Sequence, residues 1–310
     1  MPYTNELCGL CRKLCCEYKT EEPLKKHTTF KIGGSCKILI NINSSDTLAE
    51  ILKFLKKQNI RFFVLGKGSN ILADDNGFDG VILKISKDFS HIEKTGETEI
   101  FCTSGTSLSE LCIYAMENSL SGLEFAYGIP GTVGGALFMN AGAYGGELKD
   151  VVTSAHYLNE KCEICSAESA EMSLSYRHSV FSENPDWVIT DVTFSLNKGD
   201  REQIREKMNE LMHKRKDKQP LDFPSAGSTF KRPEGSYASL LIEQCGLKGL
   251  NVGGAEVSTK HSGFVINKGG ATFEDVIELT DKVKKCVYEK TGYSLAVSYT
   301  HLTLPTKLEV

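Results

Sequence analysis

Gly128-Ile129-Pro130-Gly131-Thr132-Val133-Gly134-Gly135-Ala136-Leu137-Phe138-Met139-Asn140-Ala141-Gly142-Ala143-Tyr144-Gly145-Gly146 holds seven glycines in nineteen residues. Glycine loses more backbone freedom on folding than any other residue, so this density inside a folded domain needs a compensating role. Close approach of bare main chain to another group is that role. Successive N–H groups in such turns form concave anion sites that suit a diphosphate. A second turn, Gly66-Lys67-Gly68-Ser69-Asn70, follows the apolar run Phe62-Phe63-Val64-Leu65. One such turn is a weak signal. Two, about sixty residues apart, point to one long cofactor held between two backbone cradles. Neither turn is a Rossmann fingerprint, because Ile71 stands where the third glycine belongs, and no Gly-Lys-Ser/Thr closes a P-loop.

A chain of 310 residues can bury a large core and divide into two or three domains. Its hydrophobic content of 40% and charged content of 25% are those of an ordinary globular protein. The net charge is −4, with acidic and basic residues interleaved, so neither nucleic acid nor an anionic membrane is an expected partner. No apolar stretch reaches the length of a membrane span, and the first residues lack a secretion-signal layout. A cytoplasmic monomer is expected. Eleven cysteines, an odd number on a long chain, argue for a reducing compartment over a disulfide framework. Cys8-x-x-Cys11 has a metal-ligand spacing, but Leu7, Leu10, Cys11, Leu14 and Cys15 recur at helical intervals. That favours thiols on a buried stripe, Cys16 beside them, and no metal. Cys162-x-x-Cys165 has no second pair.

Alternation of strand and helix signals divides the chain into an N-terminal helix (1–20), a first lobe (21–87), a second (88–199), a third (200–295) and a tail (296–310). Thr47 with Glu50, and Ser107 with Glu110, have capping-box spacing and predict helix starts. Ile204, Met208 and Leu211 mark the buried side of a charged helix from Asp200. Gly246 and Gly292 predict the stops of helices near Tyr237–Cys245 and Phe273–Lys290.

In order along the chain stand Thr29-Phe30-Lys31-Ile32-Gly33-Gly34, Gly66-Lys67-Gly68-Ser69-Asn70, Gly128-Ile129-Pro130-Gly131, Asn140-Ala141-Gly142-Ala143-Tyr144-Gly145, Tyr176-Arg177, Ala226-Gly227-Ser228-Thr229-Phe230-Lys231 and Lys260-His261-Ser262-Gly263-Phe264. Over about residues 24–295 the chain resembles the UDP-N-acetylenolpyruvoylglucosamine reductase (UDP-N-acetylmuramate dehydrogenase) family in its shorter, type II form. The resemblance implies an α+β protein: a two-lobed FAD-binding fold of the vanillyl-alcohol-oxidase (PCMH) type plus a C-terminal α+β substrate-binding domain. It implies FAD as cofactor, NADPH as co-substrate and UDP-N-acetylenolpyruvylglucosamine as substrate. The reaction it implies is reduction of the enolpyruvyl group to give UDP-N-acetylmuramate for peptidoglycan.

By the same resemblance Arg177 and Ser228 are catalytic. Hydride addition beside a carboxylate builds enolate-like charge, which a preorganised guanidinium stabilises. A serine hydroxyl then donates the proton. From the residue types alone, a surface arginine and a turn serine remain open. Gly66, Gly68, Ser69, Asn70, Ile129, Pro130, Gly131, Asn140 and Gly142 are the implied FAD contacts, against two purely structural turns. Tyr176, Lys214, Arg215 and Lys218 are the implied substrate contacts, against a solvated helix end. His178 is expected to be structural. Tyr144 either packs on the cofactor or fills a core.

Beyond Leu295 the likeness stops. The family ends on a Leu-Glu-Pro-Glu type strand whose first glutamate is catalytic, whereas Ala296 stands here. Val297-Ser298-Tyr299-Thr300-His301-Leu302-Thr303-Leu304-Pro305-Thr306 reads as a translated sequencing adaptor, with the native gene expected to continue with glutamate at position 296. FAD binding and NADPH oxidation are then expected with slow turnover of the enolpyruvyl substrate. Val297, Tyr299, Thr300 and Leu302 are strand-prone and allow loose pairing as a replacement strand, with poor order expected past Leu295. Two alternatives remain: a related FAD-dependent alcohol or sugar oxidase, and a non-catalytic nucleotide-binding protein.

Overall fold

A computed structural model describes residues 2–303. They form two compact units. The first comprises residues up to 20, 38–67 and 80–214, and the second 21–37, 68–79 and 215 onward.

The first unit is built on two apolar clusters. One joins the helices Pro2–Lys13 and Ser45–Lys57 to strands, with Leu7, Cys11, Ile40, Leu48, Ile51, Leu52 and Leu83 fully buried. Strand Phe62–Leu65, which delivers the first glycine turn, pairs in parallel with Val81–Lys84. The other cluster lies on a five-stranded antiparallel sheet in the order Ile164–Glu168, Val152–Leu158, Val188–Ser195, Glu99–Thr103, Ile92–Lys94. Helix Leu108–Glu117 starts as its sequence predicts: Ser107 Oγ accepts the Glu110 N–H at 3.2 Å, and Leu108, Leu111, Cys112 and Ala115 are buried.

Three expectations near the N-terminus are corrected. The first helix ends at Lys13, not residue 20; Cys15 takes a left-handed φ of 53°, and a strand begins at Tyr18. Cys8, Cys11 and Cys16 are buried but Cys15 is exposed. Burial, followed by the neighbouring thiols, pushes the Cys11 thiol up to about 12, so it is an inert core group at neutral pH. The second helix starts three residues earlier than its capping box suggested. Ser44 is the N-cap, its Oγ accepting the Thr47 N–H at 3.1 Å, and Thr47 itself is buried.

The second unit packs around Phe30, Ile32, Ala226, Phe230, Leu241, Ile242, Val265, Val276, Leu279, Val283 and Val287. Helices Ala238–Gln244 and Phe273–Thr291 end at Gly246 and Gly292, both with positive φ, as their glycine stops predict. Residues 296–302 pair as the replacement strand that their strand-prone residues allow, and are better ordered than expected past Leu295. The Lys231 N–H donates to Ala296 O, the Ser298 N–H to Thr229 O and the Thr300 N–H to Asn70 O, each between 2.8 and 2.9 Å. Thr300–Leu302 runs parallel to Ile71–Ala73, and Tyr299 and Leu302 are buried. Main-chain pairing asks little of side-chain identity, so a segment with strand-prone residues at these positions fills the slot. Residues 304–310 of the tail lie outside the described residues.

Candidate active site

Each glycine turn is shaped by what touches it. A Cβ on Gly66 would stand 2.6 Å from Thr132 Oγ1, and one on Gly68 would stand 2.1 Å from His27 O. Gly68 also has a φ of +65°, a region costly for any other residue. Among the described residues, the main-chain N–H groups of Gly68, Ser69 and Asn70 meet no acceptor. The same holds for Gly131 and Thr132. Runs of unclaimed main-chain donors on glycine-containing turns fit the diphosphate of a dinucleotide. The residues present therefore fit FAD.

Asn140 is fully buried and its side chain is spent inside the protein. Its Nδ2 donates to Ser175 O at 2.9 Å and to Glu147 Oε2 at 3.1 Å, while Oδ1 accepts the Lys149 N–H at 2.9 Å. It fixes the shape of the loop through Gly142. Arg177, at a left-handed φ of 57°, donates from Nη1 to Asn140 O at 3.4 Å and from Nη2 to Gly142 O at 3.1 Å. Its guanidinium carbon lies 5.1 Å from the centre of the Tyr176 ring, which is exposed. Glu147 completes the group. A hydrogen bond from Lys149, assisted by Asn140 and the charge of Arg177, holds its carboxyl below the usual range. Arg177 is thus a charge locked onto the glycine-rich loop. Ile129 and Pro130 lie where that loop approaches Gly131 and the Thr132 cap of helix Val133–Phe138.

Ser228 sits exposed on a loop whose next residue is held firmly. Thr229 is buried; its N–H donates to Gly263 O at 2.8 Å and its Oγ1 accepts the Val265 N–H at 2.9 Å. Gly227 before it has a φ of +77° and open space at its Cβ position. The hydroxyl is therefore presented from a braced turn.

The three basic residues near the end of helix Arg201–Lys218 part company. Lys214 is exposed and paired with Glu210 at 2.5 Å, and Lys218 is exposed. Arg215 is buried, with Nη1 donating to Gln219 Oε1 at 3.2 Å. Both ring nitrogens of His178 have neighbours, Ser173 O at 3.0 Å and Glu183 Oε1 at 2.9 Å, a structural setting. Tyr144 is 43% exposed, so it fills no core. No group of three or more histidine, cysteine or acidic side chains among the described residues is arranged to hold a metal. Thr132, Glu147 and Asn267 also shape these loops, with no role expected from sequence. Thr132 has the N-cap spacing that would have marked it; Glu147 and Asn267 act through long-range contacts that leave no local signature.

Residues 36–168 match the family described as FAD binding domain, and residues 219–299 match UDP-N-acetylenolpyruvoylglucosamine reductase, C-terminal domain. The protein of that reductase name from Caldanaerobacter subterraneus subsp. tengcongensis is 48% identical over 88% of this chain and 90% of its own length. The chain belongs to the UDP-N-acetylenolpyruvoylglucosamine reductase family. The family member from Clostridium novyi is 46% identical over 90% of both chains. The crystal structure of the family's enzyme from Thermus caldophilus superposes with a TM-score of 0.78 at 31% identity, covering 94% of this chain and 99% of that one. The fold is accordingly the α+β FAD-binding fold of the PCMH type followed by the family's C-terminal domain. No helix among the described residues is long and apolar enough to cross a membrane.

Proposed function

We propose that this protein reduces the enolpyruvyl group of UDP-N-acetylenolpyruvylglucosamine with electrons from NADPH, using FAD. The observation that carries the proposal is the pair of glycine turns with unclaimed main-chain donors, in a chain nearly half identical to reductases of that name. Bound FAD supplies the chemistry that takes hydride from NADPH and delivers it to the vinyl carbon of the substrate.

The remaining work falls to side chains of this protein. The N–H groups of Gly68, Ser69, Asn70 and Gly131 hold the diphosphate, with Gly66, Ile129, Pro130 and Gly142 shaping the approach. Arg177 places fixed positive charge where the enolate-like charge develops, and its two bonds to loop carbonyls mean little reorganisation is needed. Ser228 donates the proton to the carbon that bears the carboxylate. Lys214 and Lys218 are exposed cations suited to a sugar-nucleotide diphosphate, and Tyr176 offers a ring beside Arg177. Arg215, being buried, serves by holding the helix end near Gln219.

Incubation with NADPH and UDP-N-acetylenolpyruvylglucosamine should yield a product heavier by two hydrogens, with no hydrogen peroxide beyond that of free flavin. Peroxide formed in proportion to an added alcohol or sugar, with the enolpyruvyl compound unchanged, would instead establish an oxidase.

A further inference from the structure

Within the second unit, one short segment touches both the cofactor turn and the serine loop. The Thr29 N–H donates to Gly68 O at 3.1 Å. Its hydroxyl donates to Ser225 O at 2.7 Å. Gly68 lies so close to this segment that a Cβ would meet His27 O and the Thr28 Cα. A second strut runs parallel to the first: Asn267, 7% exposed, donates from Nδ2 to Phe30 O at 3.1 Å and from its main-chain N–H to Pro224 O at 2.9 Å. Residues 27–30 are therefore a spacer, with the Gly68 turn on one side and Pro224-Ser225 on the other.

Ser228 is three residues beyond Ser225, and Gly227 between them adopts a φ of +77° with nothing packed at its Cβ position. A loop with such a joint takes its position from its anchors. On the far side the anchor is Thr229. On the near side the Ser225 carbonyl is held by the Thr29 hydroxyl, and the Ser225 main chain also bridges Ile266.

We infer that Thr29 is a positioning residue, whose hydroxyl fixes the Ser228 loop relative to the cofactor turn. This rests on the proposed role of Ser228 as proton donor. A displacement of about an ångström at a reacting group can cost on the order of a hundredfold in rate. Removal of this side-chain anchor therefore slows protonation while leaving the binding determinants intact.

Thr29→Val tests this, because valine keeps the shape and the main-chain bond to Gly68 but removes the hydroxyl donor. The paired variant Thr29→Ser restores the donor. In the ligand-free protein, amide hydrogen exchange over residues 225–229 should quicken in Thr29→Val and return to the parent rate in Thr29→Ser. With FAD bound, bleaching by NADPH and the KM for the enolpyruvyl substrate should stay within about threefold of the parent. Return of flavin colour on adding that substrate should slow about tenfold or more in Thr29→Val alone. Unchanged exchange and unchanged colour return would overturn the inference, as would equal loss in both variants or loss of FAD from Thr29→Val. A Ser228→Ala variant that regains colour with the substrate as fast as the parent would instead sink the Ser228 reading, and this inference with it.

Discussion

Thr132 Oγ1 occupies the space beside Gly66 where a Cβ would stand, at 2.6 Å, while also accepting the Gly135 N–H at 3.4 Å as the cap of helix Val133–Phe138. Gly66 and the cap of helix Val133–Phe138, far apart in sequence, are thus fitted to each other by one buried threonine. Gly66→Ala forces that hydroxyl away and removes the cap, which costs about 1 kcal/mol. Gly131 is different: its nearest neighbour, Leu108 Cδ1, would lie 3.8 Å from an added Cβ. Gly131→Ala should therefore keep the parent melting temperature without cofactor but weaken FAD binding, whereas Gly66→Ala should lower both. Thermal melts of the stripped protein and fluorescence titration with FAD read the two effects separately.

Arg177→Lys keeps the charge but cannot reproduce two bonds from one planar group to Asn140 O and Gly142 O. Loss of a preorganised donor at a developing anion costs about a hundredfold or more. Rapid-mixing measurements should show flavin bleaching by NADPH nearly unchanged and colour return with the enolpyruvyl substrate slowed by that factor. Equal rates in parent and variant would remove Arg177 from the chemistry.

His261 is half-buried, packs edge-on to Phe264 with ring centres 5.0 Å apart, and uses Nδ1 to accept the Gly263 N–H at 3.1 Å. Burial holds its pKa below the usual histidine value of 6.5. The folded state thus prefers the neutral ring. Its contribution is present above the unfolded value and is lost as pH falls through the lower folded value. The carbonyl of Gly263 braces Thr229, so this loop supports the Ser228 turn. Melting temperature should fall more between pH 7.5 and about 5.5 in the parent than in His261→Gln. His301, also held low by burial, contributes equally to both proteins and cancels in the comparison. Parallel melting curves would assign the acid sensitivity elsewhere.

Ala296 is exposed and its carbonyl accepts the Lys231 N–H, on the strand pair that begins beside Ser228. The family resemblance places a catalytic glutamate at this segment. Ala296→Glu should therefore quicken colour return with the enolpyruvyl substrate at least tenfold, with bleaching by NADPH unchanged, an effect of the size a positioned acid–base group supplies. No gain would mean that a carboxylate at position 296 takes no part in the reaction.

Local signals read well wherever a helix or turn is decided by neighbours in sequence. Ser107 with Glu110, and the stops at Gly246 and Gly292, needed only the local chain. Thr47 misled because Ser44, three residues earlier, satisfies the same helix end and leaves Thr47 in the core. The N-terminal helix was read too long because its apolar period runs on through Cys15, whereas the backbone turns left-handed there. The glycine cradles were legible because glycine is dense there, and at Gly66 and Gly68 the geometry leaves no space for a Cβ. Thr29, Asn267 and Glu147 were not, because their partners lie across the fold and polar residues on loops look alike in sequence. The tail's strand-prone residues made pairing legible, but not its degree of order, which depends on a slot of main-chain partners across the fold.

The central claim is that naked main chain at Gly68–Asn70 and Gly131 grips FAD for a reductase. Anaerobic spectroscopy of the purified protein tests it most directly. The expected result is a yellow protein that NADPH bleaches and that regains its colour when UDP-N-acetylenolpyruvylglucosamine is added without oxygen. A colourless protein that takes up no FAD when it is supplied in excess would contradict it.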